Sequence, residues 1–198
     1  MSGLAALQQI QIACGLGQRA EAVAPCYASL VTPSDFEAIF TALQQAGIRY
    51  LVVGGVAVVL HGHARFTADL DLVVALDPDN ARAAMEALAA LGYRPRAPVN
   101  AAAFADPILR AEWVSEKGMT VFSLWSPRHP ATEIDVFVEE PFPFGDALAR
   151  ATWADLGSVR IAVASIADLI ALKRIAGRPK DLEDIRALES LQQERDDG

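Results

Sequence analysis

The amino-acid sequence predicts an α+β fold, with a mixed β-sheet of four or five strands, helices on one face and a helical C-terminal end. Two observations support this prediction. Short runs of apolar and β-branched residues, as at 49–53, are separated by longer segments in which apolar residues recur with the helical period. From about residue 165 onward only the helical period remains, which indicates that the chain ends in helices.

The composition places the 198-residue chain among globular proteins, since 53% of its residues are hydrophobic and 21% are charged. The net charge of -8 argues against a large basic nucleic-acid-binding surface, because neutralising phosphates requires clustered lysine and arginine. Cys14 and Cys26 are too few for a disulfide framework, and the longest apolar run, Leu51–Leu60, is well short of the ~20 residues that cross a bilayer. We therefore expect a cytoplasmic protein with no membrane segment.

Residues 1–32 are the least regular part of the chain and are expected to form an N-terminal helical extension of undetermined role. The main domain is expected to span 33–198. Its first helix is predicted to end at Gly47. The apolar residues that share one face of this helix are Phe36, Ile39, Phe40 and Leu43.

The remaining elements follow from the same two periods and from turn residues. The predicted strands are 49–53, 69–76, 119–125, 132–138 and 159–163, the third and fourth forming a hairpin. The predicted helices are one that starts at 77–79 and ends at Gly92, and then 106–117, 146–153, 165–176 and 180–193. Residues 100–105 are expected to form a loop.

Gly54 and Gly55 come directly after the first predicted strand. Glycine permits a positive φ and lets the backbone approach a ligand closely, and N–H groups exposed at such a turn can bind phosphate. Arg65 and Thr67 lie just before the second strand, where their side chains are placed to contact phosphate oxygens or to order the loop. An ordinary tight turn, with a surface arginine and a strand threonine, is the alternative explanation.

Asp69 and Asp71 are one residue apart at the start of the second predicted strand. Side chains two apart in a strand point to the same face, so the two carboxylates project together while Leu70 and Leu72 face the core. Two neighbouring carboxylates repel each other unless a cation lies between them, and Mg²⁺ takes such oxygen ligands. The pair therefore predicts a magnesium site, with two solvent-facing aspartates at a strand end as the alternative.

A third carboxylate would allow two metal ions to be bridged. Asp135 lies between the apolar Ile134 and Val136 and projects from the opposite face of its strand. Glu133 shares that face, but Asp135 is nearer the centre of the strand and is the preferred ligand.

Lys173 lies on the apolar face of a late helix, at i+7 from Ile166, and a lysine is costly there unless it is paired or reaches a polar pocket. Contact with a nucleotide phosphate would explain its position, and so would pairing with an acidic side chain. Asp184, in the next helix, is interpreted either as a base or as an anchor for Lys173.

In this order, a glycine pair, an Asp-x-Asp pair and a later strand aspartate resemble the signature of the nucleotidyltransferase superfamily with a DNA polymerase β-like core. The Arg-x-Thr-x-Asp-x-Asp form, with a lysine and an aspartate downstream, is most similar to the AbiEii-type toxins and their minimal relatives. The resemblance covers about residues 35–190. The residues that carry it are Gly54, Gly55, Arg65, Thr67, Asp69, Asp71, Asp135, Lys173 and Asp184.

The resemblance implies an enzyme that moves a nucleoside monophosphate from an NTP to an acceptor hydroxyl. It implies two Mg²⁺ ions held by Asp69, Asp71 and Asp135, with Asp135 also activating the acceptor, and Lys173 neutralising charge. The nucleotide-binding residues that it implies are Gly54, Gly55, Arg65, Thr67, Lys173 and Asp184.

Three interpretations of the biological role stay open at this point. The first is a toxin that modifies tRNA or another RNA, with an antitoxin partner, using a local basic patch. The second is a transferase that acts on an aminoglycoside or lincosamide antibiotic, and an acidic protein suits a cationic acceptor of this kind. The third is a non-catalytic binding protein that retains the fold. The members of the predicted basic patch are Arg174, Arg178, Lys180 and Arg186.

Overall fold

The computed structural model describes residues 33–67 and 69–197, and the predicted extension at 1–32 lies outside them. Its seven strands are β1 Tyr50–Val53, β2 Leu70–Val74, β3 Arg94–Pro95, β4 Val121–Trp125, β5 Ile134–Phe137, β6 Thr152–Leu156 and β7 Val159–Val163. Its α-helices are α1 Pro33–Gln45, α2 Gly54–His61, α3 Pro78–Ala90, α4 Pro107–Lys117, α5 Phe144–Ala149, α6 Ile166–Ala176 and α7 Pro179–Asp196. The α+β class is therefore confirmed.

The strands form one mixed sheet in the order β3-β4-β5-β2-β1-β7-β6. At its centre β2 is antiparallel to β1 and parallel to β5, while β1 is parallel to β7. The end of β1 therefore lies at the same edge of the sheet as the starts of β2 and β5. Val53 is paired with Asp71, and Asp71 with Asp135, so the predicted carboxylates meet at this edge.

The predicted number of strands, four or five, was too low, because the sheet has seven. The residues at 152–156 were assigned in part to a helix over 146–153, but they form β6, which turns at Gly157 (φ +58°) into β7. In β6 Ala154 and Leu156 are buried while Trp153 is exposed, which is the alternation of a strand. The alternating segment is too short to be recognised from the sequence without its partner strand. Residues 101–105, expected as loop, form a short 3₁₀ helix.

Three helices begin directly after a polar residue whose side chain caps the first turn. Asp77 accepts a hydrogen bond from the Asn80 N–H, and Asp106 accepts one from Ile108. Ser165 accepts one from the N–H of Asp168. A side-chain oxygen at these positions satisfies a backbone donor that the helix itself leaves unpaired.

The core is densest around β1. Phe40 of α1 stacks on Tyr50, with ring centroids 5.9 Å apart. All four residues of β1 are buried, so both faces of the sheet are covered at its centre, not only one. In β4 and β5 buried and partly exposed residues alternate, so one face of that part of the sheet remains open to solvent. Over the described ranges, the helices are all too short or too polar to span a bilayer.

Candidate active site

Two of the three predicted aspartates lie side by side on adjacent strands. Asp71 and Asp135 are partners in the parallel pairing of β2 and β5, so their side chains project from the same face of the sheet. Asp69 is exposed and lies just before β2, where the N–H of Leu70 bonds to the carbonyl of Glu133. Asp69 is close enough for its charge to raise the pKa of both Asp71 and Asp135.

Gly54 is required by its contact with Asp71. Its φ is +64°, and a Cβ atom on it would lie 1.8 Å from Asp71 Oδ2. No larger residue fits there unless the carboxylate moves. The next N–H, of Gly55, donates a hydrogen bond to Asp71. The glycine turn thus positions a carboxylate as well as exposing backbone at the start of α2.

The electrostatics of the site disfavour ionised carboxylates in the protein alone. Burial first, and then the charges of Asp135 and Asp69, raise the pKa of Asp71 to about 6. Burial also raises the pKa of Asp135, which accepts a hydrogen bond from the Ser123 hydroxyl that partly offsets the shift. A bound cation would remove this repulsion.

The predicted phosphate-contacting residues meet at Gly55. A Cβ atom on Gly55 would lie 2.4 Å from Thr67 Oγ1 and 3.1 Å from Arg65 Nη2. The loop that precedes β2 therefore packs directly on the first turn of α2. This packing brings a hydroxyl, a guanidinium and backbone N–H groups together beside Asp71.

Lys173 and Asp184 are joined in a buried cluster. Lys173 Nζ lies 2.5 Å from Asp184 Oδ2 and 3.5 Å from Asp181 Oδ1, and the exposed fraction of the Lys173 side chain is 7%. Arg65 donates to the same oxygen of Asp184. Of the two interpretations of Asp184, the contacts match the anchor, since it holds two cations next to the carboxylates. The charge of Lys173 lowers the pKa of Asp71, which places the amine near the site.

The donor set suits Mg²⁺. Among the residues that the structure describes, no three His, Cys, Asp or Glu side chains already converge on one point as a complete metal cage. Mg²⁺ does not need such a cage, because it is usually bound by one or two carboxylates together with water and substrate phosphates. Asp71 and Asp135, with Asp69 beside them, supply hard oxygen ligands of this kind.

Sequence reasoning missed two residues that shape the site, Ser123 and Arg96, and assigned a third, Arg178, only to a basic patch. Ser123 hydrogen-bonds Asp135, and Arg96 makes a forked ion pair with Glu133, with Nε 2.8 Å from Oε2. Arg178 Nε donates to Asp181 Oδ2 at 2.7 Å. This hydrogen bond and, to a smaller extent, the charge of Asp71 raise the pKa of Arg178. Ser123 is a polar residue within an apolar strand, and this pattern could have identified it from the sequence as a candidate site residue. Arg96 has no such signal, because its position depends on how β3 pairs with β4.

A cavity of about 400 Å³ lies away from the carboxylates. Its lining includes Leu76, just beyond the end of β2, and Val138, just beyond the end of β5. Asp71 and Asp135 are near the starts of the same strands, so the cavity is at the opposite edge of the sheet. The predicted site residues lie at the edge around the glycine turn and not in this cavity.

Two solved structures share the fold. A lincosamide antibiotic adenylyltransferase, LnuA, solved with lincomycin bound, aligns with a TM-score of 0.55 and 16% identity, over 81% of this chain and 98% of that one. ANT(2")-Ia, solved in complex with adenylyl-2"-tobramycin, aligns with a TM-score of 0.52 and 15% identity, over 82% of this chain and 91% of that one. Comparison with curated proteins gives no match.

A family model described as "Nucleotidyl transferase AbiEii toxin, Type IV TA system" matches residues 38–197. The match spans most of the chain and includes every residue of the predicted site. The chain therefore belongs to the AbiEii nucleotidyl transferase family, and it is a nucleotidyltransferase.

Proposed function

We propose that the protein is a Mg²⁺-dependent enzyme that transfers a nucleoside monophosphate from an NTP to a hydroxyl group of an RNA acceptor. The observation that carries the proposal is the in-register pair of Asp71 and Asp135, which lies against the glycine turn. A phosphate-binding backbone and a metal-binding carboxylate pair in direct contact are what nucleotidyl transfer needs.

Each residue of the site has a role in this proposal. Asp69, Asp71 and Asp135 hold Mg²⁺, which when bound neutralises the triphosphate and polarises the reacting phosphate. The backbone N–H groups in the first turn of α2 beyond Gly55, with Thr67 and Arg65, bind phosphate oxygens. Lys173 adds positive charge and Asp184 keeps Lys173 and Arg65 in place, as their ion pairs indicate.

In the proposed reaction the acceptor oxygen forms a bond to the α-phosphorus, the bond from that phosphorus to the bridging oxygen breaks, and pyrophosphate leaves. Asp135 takes the proton of the acceptor hydroxyl. Asp135 is partly exposed and lies opposite Asp71 in the strand pairing, so its carboxylate is accessible to an acceptor beside the proposed metal ligands.

The family description supports a toxin of a toxin-antitoxin pair, with an antitoxin as its counterpart. RNA is the proposed acceptor of such a toxin. Lys180 and Arg186 are exposed on α7, the helix that also carries Asp184, so cationic side chains are present on this helix despite the net charge of -8.

A second candidate is transfer to a cationic antibiotic. Of the two similar structures, one was solved with lincomycin bound and the other with adenylyl-2"-tobramycin. An acidic protein attracts a cationic acceptor, and the net charge of -8 supports this alternative. A non-catalytic role is less well supported, because all three aspartates and the glycine pair are present.

The proposal is tested with the full chain, Mg²⁺, labelled NTPs, and either total tRNA or a panel of aminoglycosides and lincosamides. Label transferred to RNA supports the proposal, and label on a drug supports the second candidate. The double variant Asp69→Ala/Asp71→Ala should lose Mg²⁺-dependent NTP binding while keeping its circular dichroism spectrum. If wild-type protein neither binds nor transfers any NTP with Mg²⁺, both candidates are wrong.

A further inference from the structure

The open face of the sheet next to the aspartates has a regular side-chain pattern. In β4 Phe122 and Leu124 are 1% exposed, whereas Ser123 and Trp125 are partly exposed. In β5 the neighbours of Asp135 are completely buried, while Asp135 is not. Alternation of this kind means that β4 and β5 bury one face in the core and present the other to solvent.

Pairing between strands extends this solvent face from Asp135 to the edge of the sheet. Ser123 is the partner of Asp135, and Arg94 is the partner of Trp125. The N–H of Arg96 bonds to the carbonyl of Ser123, which continues the same ladder. Paired residues share a face, and so do residues two apart in a strand. The open face therefore carries Arg94, Arg96, Ser123, Trp125, Glu133 and Asp135.

The chemistry of this face differs from that of the glycine turn. The Arg94 guanidinium lies over the Trp125 ring at 5.2 Å from its centroid. Arg96, whose side chain is 55% exposed, is paired with Glu133, and its charge acts on Asp135. Guanidinium groups beside an aromatic ring are the features with which proteins bind the phosphates and bases of single-stranded nucleic acid.

We propose that this face binds the RNA acceptor, with Arg94 and Arg96 contacting its phosphates and Trp125 stacking on a base. The inference rests on the proposed function, because it assigns the acceptor side of the same site. RNA is favoured over a cationic acceptor because, beyond the metal-binding aspartates, the face has two guanidinium groups and one carboxylate. Arg96 exchanges Glu133 for a phosphate when RNA binds.

This assignment gives the site two sides. The NTP lies toward Gly55 and Lys173, which approach Asp71, and toward Arg65, which lies beside Gly55. The acceptor lies toward Arg96 and Ser123, which approach Asp135. Asp135 is thus the aspartate nearest the acceptor, in agreement with its proposed role of taking the acceptor proton.

The test measures binding of labelled total tRNA to the full chain over a range of salt concentrations. The variants are Arg94→Gln, Arg96→Gln and Trp125→Ala. Arg82→Gln is the matched control, since Arg82 is also an exposed arginine paired with one acid, Asp79, but lies on α3. Each site variant should raise the Kd for tRNA roughly tenfold. Each arginine variant should also lower the salt slope by about 0.7, the effect of one lost contact to single-stranded nucleic acid.

Unchanged Kd and salt slope in Arg94→Gln and Arg96→Gln would overturn the proposal, as would wild-type protein that binds no tRNA. An aminoglycoside whose affinity falls in Glu133→Gln, but not in Arg96→Gln, would assign the face to a cationic small molecule instead. Calorimetry of NTP and Mg²⁺ with the wild-type protein reports separately on the proposed function. If calorimetry shows no NTP binding while the arginine variants still lower the salt slope, the RNA-binding face is supported and the proposed nucleotidyl transfer is wrong.

Discussion

Asp71 and Asp135 lie opposite each other in the parallel pairing of β2 and β5. The carboxylate of Asp71 occupies the space that a side chain on Gly54 would take. Neither carboxylate can move away easily, because each belongs to a central strand whose flanking residues are buried. The two carboxylates are therefore held close together, and the stability of the folded protein depends on protons or a cation that reduces their repulsion.

The stability of the metal-free protein should fall as pH rises between about 4 and 6. The pKa of Asp71 is raised from 3.8 to about 6 in the folded state, so in this range the folded protein holds a proton that the unfolded chain has released. The stabilisation is complete below about pH 4 and is lost above pH 6. Its size is on the order of 3 kcal/mol, because each pKa unit corresponds to about 1.4 kcal/mol.

Urea denaturation of wild-type protein and Asp71→Asn in chelator, at a series of pH values, measures this effect. The free energy of unfolding of wild type should decrease relative to the variant as pH rises, and Mg²⁺ at pH 7 should restore part of it. Parallel curves for the two proteins would contradict the assigned pKa.

Replacing Gly54 with alanine should disrupt the site itself. The added Cβ would lie 1.8 Å from Asp71 Oδ2, so the carboxylate must move, and Mg²⁺-dependent NTP binding should be lost. Gly47→Ala is the matched control, since Gly47 has a similar φ of +66° but no atoms within 4 Å of an added Cβ. Both variants should lose about 1–2 kcal/mol of stability from the left-handed backbone. Equal NTP binding by the two variants would show that the contact with Asp71 is unimportant.

Asp184→Asn should be among the most destabilising polar substitutions in α7. It leaves the Lys173 ammonium, with a side chain 7% exposed, and Arg65 without the carboxylate that pairs with both. Breaking one partner of a buried ion pair costs about 3–5 kcal/mol. The control is Glu189→Gln, which removes the exposed pair with Arg174 and should change the free energy of unfolding by less than about 1 kcal/mol. Similar losses for the two variants in thermal or urea unfolding would refute the anchoring role.

Asp135→Asn should lower the rate of nucleotidyl transfer by about 10²–10³-fold, the usual cost of removing one electrostatic contact to the reacting groups. Glu133→Gln should lower it by a smaller factor, because Glu133 pairs with Arg96 at the surface and does not lie opposite Asp71. Single-turnover rates at saturating NTP make the comparison. A larger loss in Glu133→Gln would make Glu133 the third ligand.

Local regularities made much of the fold predictable. The β7 strand and the α4 helix appear at the predicted residues. Alternating β-branched residues favour a strand, and an Asp-Pro pair favours a helix start, through interactions among residues only a few positions apart. Short β3 and β6 were missed, because a strand of this length becomes recognisable only when it is paired.

The sequence by itself determined which side chains are available for chemistry and which elements carry them. Only the tertiary structure decided how they meet. Arg65 and Asp184 form their ion pair across 119 positions of the chain, and Gly54, at the start of α2, is constrained by Asp71 of β2. Contacts of this kind depend on strand order and helix packing, which local periodicity does not encode. The tertiary structure also showed that the solvent face of β3, β4 and β5 continues directly from Asp135.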